Sequence, residues 1–204
     1  MNKLLFLLLI PLSLTARADF GIWTFFMADR KVCENLNADY EVNLRFRENA
    51  TTFHYYYNQV RLTLRPCEPF GVAFAYRDIN VLVADSTWAK RPTGIVDLFL
   101  HRRIEETSLQ LRVRNEMRFY PKDLVLRTRG MITFPRIFME VRPYITEELF
   151  FLEGKRLTQN RLETGLSVQA KEARFFFGYL YRTIEGALGW NEENILTFAA
   201  RFNF

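Results

Sequence analysis

Hydrophobic and polar residues alternate with a period of two through nearly all of the chain after residue 19. Tyr40, Val42, Leu44 and Phe46 form one apolar row, while Glu41, Asn43, Arg45 and Arg47 form the polar row between them. The split returns at Val60, Leu62 and Leu64 against Gln59, Arg61, Thr63 and Arg65. It returns again at Leu109, Leu111 and Val113 against Gln110, Arg112 and Arg114. Successive side chains of a strand point to opposite faces, so this period predicts strands with one apolar and one polar face. Such segments lie near 20–29, 38–48, 53–65, 70–78, 94–104, 107–119, 123–134, 138–151, 157–169, 173–183 and 194–204. Turn-like pieces such as RPCEP and QAKEA separate them, and 79–93 and 184–193 read as extended connections. No long stretch favours a helical period, so the chain is predicted to be all-β and a single domain.

The beginning of the chain departs from this pattern. Lys3, an apolar run from Leu4 to Leu14, and Ala16-Arg17-Ala18 together predict a secretory signal peptide, residues 1–18, cleaved after Ala18. The run is too short to span a bilayer as a helix, and no later stretch approaches the ~20 apolar residues that would. Residues 19–204 are then the folded domain. Losing Lys3 and Arg17 lowers the formal charge from +5 to +3, too mild a balance to argue for nucleic acid. Export places Cys33 and Cys67 in an oxidising compartment, where they are a candidate disulfide. Their spacing matches no metal motif, and nothing in the sequence calls for a cofactor.

Alternation alone does not say which face meets water, because a soluble barrel or sandwich and a membrane barrel share it. Two features favour the inside-out arrangement. Aromatic residues make up 16% of the chain. The lysines Lys31, Lys90, Lys122, Lys155 and Lys171 fall in predicted turns or loops, whereas most arginines fall within strands. Arginine suits a crowded interior, since its planar fork satisfies several acceptors and is weakly hydrated. A sheet that crosses a membrane must close on itself, and strands of about 9–11 residues suffice.

The last segment, LTFAARFNF, resembles the terminal strand of bacterial outer-membrane barrels. That resemblance implies that Phe198, Phe202 and Phe204 form the signal read by the barrel-assembly machinery, with outer-membrane lipid as the surrounding solvent. Trp23, RVRNEMRF (112–119), RPYITEELFF (142–151), QNRLETGLSV (159–168) and GYLYR (178–182) resemble an uncharacterised outer-membrane β-barrel family, domain of unknown function 2490. The resemblance implies a transmembrane antiparallel up-and-down β-barrel in the bacterial outer membrane, and no assigned activity. Termini that share the periplasm require an even number of strands. The first segment is therefore discounted, giving ten strands, with twelve as the alternative. Under that count the links holding Cys33 and Cys67 share the periplasmic side.

The inward face is then expected to carry Arg45, Arg47, Arg61, Arg65, Arg103, Arg112, Arg114, Arg118, Arg127, Arg129, Arg142, Arg161, Arg182 and Arg201. Glu41, Asp97, Glu116, Glu140, Glu148 and Glu163 are expected beside them. Arginine outnumbers acid on this face, and unpaired buried charge is strongly unfavourable. Two readings stay open: a narrow anion-favouring pore for small anionic solutes, or a non-conducting lattice of ion pairs serving a structural or adhesive barrel. Trp88 and Trp190, in the two long connections, are expected to anchor at the lipid interface. A catalytic role is not expected, and a surface enzyme that modifies lipid A or peptides is the lesser alternative. There is no GxSxG and no HExxH, and only His54, near Asp78, Asp85 and Ser86, suggests a surface cluster. His54 reads more simply as part of an aromatic row with Phe53, Tyr55, Tyr56 and Tyr57.

Overall fold

The structure is a computed structural model and describes residues 20–83, 87–120, 122–153 and 156–204. The predicted signal peptide, with Asp85, Ser86 and Lys155, lies outside the described residues. Eleven strands follow one another: β1 (Phe20–Cys33), β2 (Leu36–Arg47), β3 (Thr52–Cys67), β4 (Phe70–Leu82), β5 (Trp88–Ile104), β6 (Thr107–Phe119), β7 (Lys122–Thr133), β8 (Val141–Leu152), β9 (Arg156–Ala170), β10 (Ala173–Gly186) and β11 (Gly189–Asn203). Each pairs antiparallel with its sequence neighbours, and β1 closes the barrel by pairing parallel with β11.

The ten- and twelve-strand expectations are corrected by this closure. The segment discounted on parity is a full strand of 14 residues. Its register runs from Phe20↔Asn194 to Asp29↔Asn203 on one side and antiparallel to β2 on the other. An even count is required only when the closing pair is antiparallel; a parallel seam takes an odd one. The seam also places Phe20 and Phe204 at opposite ends of the barrel. Arg201 Nε and Nη2 grip Asp29 Oδ2 and Oδ1 at 2.6 and 2.7 Å, and the Phe204 amide donates to Asp29 O at 2.9 Å.

Both long connections shrink. The β4–β5 ladder continues to Leu82↔Trp88, and β10–β11 continues to Gly186↔Gly189. Pro92, Gly94 and Gly186 hid the alternation that the pairing restores. Trp88 and Trp190 consequently sit in strands, and Lys31, Lys90 and Lys122, expected in turns or loops, lie in strands as well. At the Phe20 end, Trp88 packs with Phe53 and Tyr56 at 5.4 and 5.3 Å between ring centroids, and Phe46 joins Phe53 at 5.2 Å. At the Phe204 end, Phe175, Phe202 and Phe204 form a second aromatic group.

The two faces follow the sequence pattern. Outside, Val60, Phe74, Leu98, Met117 and Phe177 are all more than half exposed. Inside, Asn43, Gln59, Thr93, Asp97, Arg114 and Glu116 are buried, several completely. The polar residues therefore form the core.

Cys33 and Cys67 end β1 and β3 at the Phe204 end, and both are exposed and unbonded. The strand β2 lies between them, with Cys33 opposite Leu36 and Leu36 opposite Leu64. Two ladder steps of ~4.8 Å exceed the Cα separation a disulfide tolerates, roughly 4.4–6.8 Å. The expected disulfide is not formed in this geometry.

Candidate functional site

The centre of the barrel is an ion-pair network built from side chains on six consecutive strands. Glu116 (β6) accepts from Arg77 (β4) at 3.2 Å and from Arg127 (β7), and Arg114 approaches it at 3.6 Å. Arg127 also donates to Glu148 (β8) at 2.8 Å, which receives Arg112 at 2.7 Å and Arg161 (β9) at 3.4 Å. Asp97 (β5) takes Arg114 in a two-point contact at 2.6 and 2.7 Å. The geometry is that of a planar guanidinium bridging carboxylates, which lysine could not reproduce.

Aromatic faces occupy the remaining sides of these cations. Arg45 stacks over Trp23 and Tyr55 at 3.9 and 4.0 Å, Arg161 over Phe150 and Trp23, and Arg77 over Tyr57. Towards the Phe20 end Trp23 packs with Leu180 and Ile195, all at most 4% exposed. Phe150, Val125 and Ile95 are buried toward the same end. These apolar side chains line the lumen on that side.

Glu163 forms a separate centre, accepting from Tyr144 Oη at 2.7 Å and Thr197 Oγ1 at 2.6 Å. Gly165 and Gly178, paired across β9 and β10, make room for the tyrosine. A Cβ at Gly178 would stand 2.5 Å from Tyr144 Oη, and one at Gly165 2.8 Å from its ring. Glu41 is held by Tyr57 Oη.

The lumen holds a cavity of about 440 Å³ whose lining runs from Trp23, Arg45 and Leu180 to Arg174 and Arg201 at the Phe204 end. Among the described residues eleven arginines but only three glutamates line it, with apolar groups that include Phe25, Phe99 and Phe176.

Of the arginines predicted to face inward, Arg45, Arg61, Arg65, Arg112, Arg114, Arg127, Arg129, Arg161 and Arg201 line this space. Arg118 pairs with Asp123 and Arg182 with Glu193, nearer the Phe20 end. Arg142 donates to the Glu106 carbonyl. Two expectations are corrected: Arg47 and Arg103 are exposed at strand ends, not buried in the lumen. Glu140 lies in the β7–β8 connection, exposed beside Arg136, because β8 begins only at Val141. Sequence reasoning missed Arg77, 5% exposed at the heart of the network. Its signal was the run of small inward residues, Gly71, Ala73 and Ala75, which leaves room for long side chains from other strands. Asp39, paired with Arg61 at 2.8 Å, and Arg174 were missed as well.

His54 lies in β3, its ring 6.5 Å from that of Tyr55. Among the described residues no hydrogen bond joins it to Asp78, and the other two members of the suggested cluster lie outside them. No group of His, Cys, Asp and Glu among the described residues could hold a metal ion.

Fold and site together define a closed β-barrel of inverted polarity, apolar outside and ion-paired within. The chain belongs to the family described as "Protein of unknown function (DUF2490)", whose model matches residues 20–193, that is β1 to β10 and the start of β11. No curated protein and no solved structure matches it.

Proposed function

We propose that this chain is an outer-membrane β-barrel, exported by way of the signal peptide 1–18, whose lumen is closed by ion pairs and does not conduct. The exterior supports the membrane placement. Large apolar side chains stand exposed on every side of the barrel, far more than a soluble surface carries in one patch. Strands of 12 residues, tilted as barrels require, reach roughly 30 Å, enough for an apolar band of about 25 Å. Aromatic groups at both ends fit the two membrane interfaces. With Phe198, Phe202 and Phe204 read by the assembly machinery, the Phe204 end faces the periplasm.

One observation carries the closed-lumen reading. The network from Arg77 through Glu116, Arg127 and Glu148 to Arg161 bridges β4 to β9, directly against the buried Trp23–Leu180–Ile195 layer. A charged interior of this kind stabilises the barrel because Glu116 and Glu148 each meet three guanidinium groups in a water-poor space. The narrow anion-favouring pore is the second reading, carried by the arginine excess around the cavity. Planar-bilayer recording of the refolded barrel decides between them. Silent but membrane-inserted protein is expected; discrete steps with anion preference would replace the first reading by the second.

A further inference from the structure

Toward the Phe204 end the cavity combines features that the ion-pair network does not use. Arg65 on β3, Arg129 on β7 and Arg174 on β10 all line it, yet none has a carboxylate within salt-bridge distance among the described residues. Arg129 donates to the Thr146 hydroxyl and Arg174 to the Gln169 carbonyl oxygen, both neutral acceptors. Because they stand on well-separated strands, the three cations surround the cavity instead of lining one wall. Deeper in, the Nε–H groups of Arg112 and Arg127 are buried with no acceptor from the protein. Phe25, Phe99 and Phe176 are among the apolar groups of the wall. The end of the Phe99 ring packs against Gly71, where a Cβ would come within 2.2 Å of it.

We propose that this chamber binds a small organic anion that carries an aromatic body, an aryl phosphate or aryl carboxylate, entering from the Phe204 end. The anionic group takes the guanidinium donors left without a carboxylate, as oxyanions do with the arginine fork. The ring fills the space between the phenylalanines, where it gains apolar burial and edge or face contacts. A volume of about 440 Å³ falls within the usual range for small-molecule sites, ~300–1,000 Å³. On the closed-lumen reading the site is blind, with the Trp23 layer as its floor, and the ligand leaves by the way it came. Only this direction of entry rests on the closed-lumen reading.

The test is titration calorimetry on the folded barrel in nanodiscs, with phenyl phosphate as probe, inorganic phosphate standing in for its anionic half and benzyl alcohol, an uncharged aromatic of similar size, for its aromatic half. Phenyl phosphate is expected to bind one-to-one, and both halves at least about tenfold more weakly. Arg129→Gln and Arg174→Gln are each expected to weaken it about tenfold, the loss of one charge-assisted contact. Arg156→Gln, exposed at the opposite end, is expected to leave binding unchanged. Ala199→Phe fills the chamber without altering charge and is expected to abolish binding, so the proposal survives a folding defect in an arginine variant. No binding of phenyl phosphate, equal binding of inorganic phosphate, or equal binding of benzyl alcohol would each overturn it. Bilayer recording of the same samples separates the two readings. Conduction with binding intact removes the closed lumen alone, and silence without binding removes the chamber alone.

Discussion

Glu116→Gln is the perturbation on which the ion-paired core stands or falls. The carboxylate is 3% exposed and is shared by three guanidinium groups: Arg127 in closest contact, Arg77 at 3.2 Å and Arg114 at 3.6 Å. Glutamine keeps the volume and one acceptor oxygen but removes the charge. Arg114 retains Asp97 and Arg127 retains Glu148, whereas Arg77 keeps only Gln59 as a neutral acceptor. Removing one partner from a buried pair costs about 3–5 kcal/mol, because the charge left behind is not rehydrated. The residual glutamine bond and the remaining carboxylates put the expected loss near the lower end, about 3 kcal/mol. Urea unfolding of the refolded barrel in phospholipid vesicles, followed by tryptophan fluorescence, measures it directly. Ionic strength is a second axis: at ~1 M salt the Debye length is ~3 Å, yet a buried network is little screened, so the loss is expected to persist. A double-mutant cycle with Arg127→Gln is expected to show coupling of about 1–3 kcal/mol. A loss below about 1 kcal/mol, the range of solvated surface pairs, would refute a water-poor lumen and with it the structural role of the network.

Four further outcomes follow from other parts of the barrel. Asp29→Asn weakens the parallel seam; since Arg201 is more than a third exposed, about 1 kcal/mol is expected, read as a lower temperature for loss of the heat-modifiable folded band on gels. Gly165→Ala places a Cβ 2.2 Å from the Phe177 carbonyl oxygen, a backbone atom that cannot step aside, so at least about 3 kcal/mol of strain is expected and refolding yield should collapse. Glu147 is exposed on the outward face of β8, paired beside Gly130 and Leu162. Replacing it with Leu is expected to stabilise the barrel in bilayers by about 1–2 kcal/mol; a loss of solubility without stabilisation would speak for an exterior in water. The backbone N–H and guanidinium of Arg136, from the β7–β8 connection, hold the carboxyl of Glu106, in the β5–β6 turn, below the usual carboxylate range. A depressed carboxylate stabilises the fold above its unfolded pKa and loses that contribution as pH falls through the folded value. Protection of the Arg136 amide from hydrogen exchange should therefore drop only as the pH falls below the ordinary carboxylate range.

The strands and their facing were legible in the sequence, because the pleat makes side-chain direction a local property of each residue. Arg112 and Arg114 point inward, and Leu111 and Val113 outward, for no reason beyond alternation. All eleven strands were visible in the same way, including the first. What alternation could not supply was how β1 meets β11. Residues some 170 positions apart decide that the seam is parallel, and a parity rule drawn from antiparallel closure pointed the wrong way. Arg77 stayed hidden because its strand reads as apolar on one face and small on the other, and smallness acquires meaning only once long arginines from β6 and β7 fill the space. The pairing of Arg127 with both Glu116 and Glu148, the apolar floor at Trp23, and the three cations left facing a cavity depend on distances across a closed lumen. Only the tertiary structure creates those distances, since curvature brings together side chains whose strands never touch.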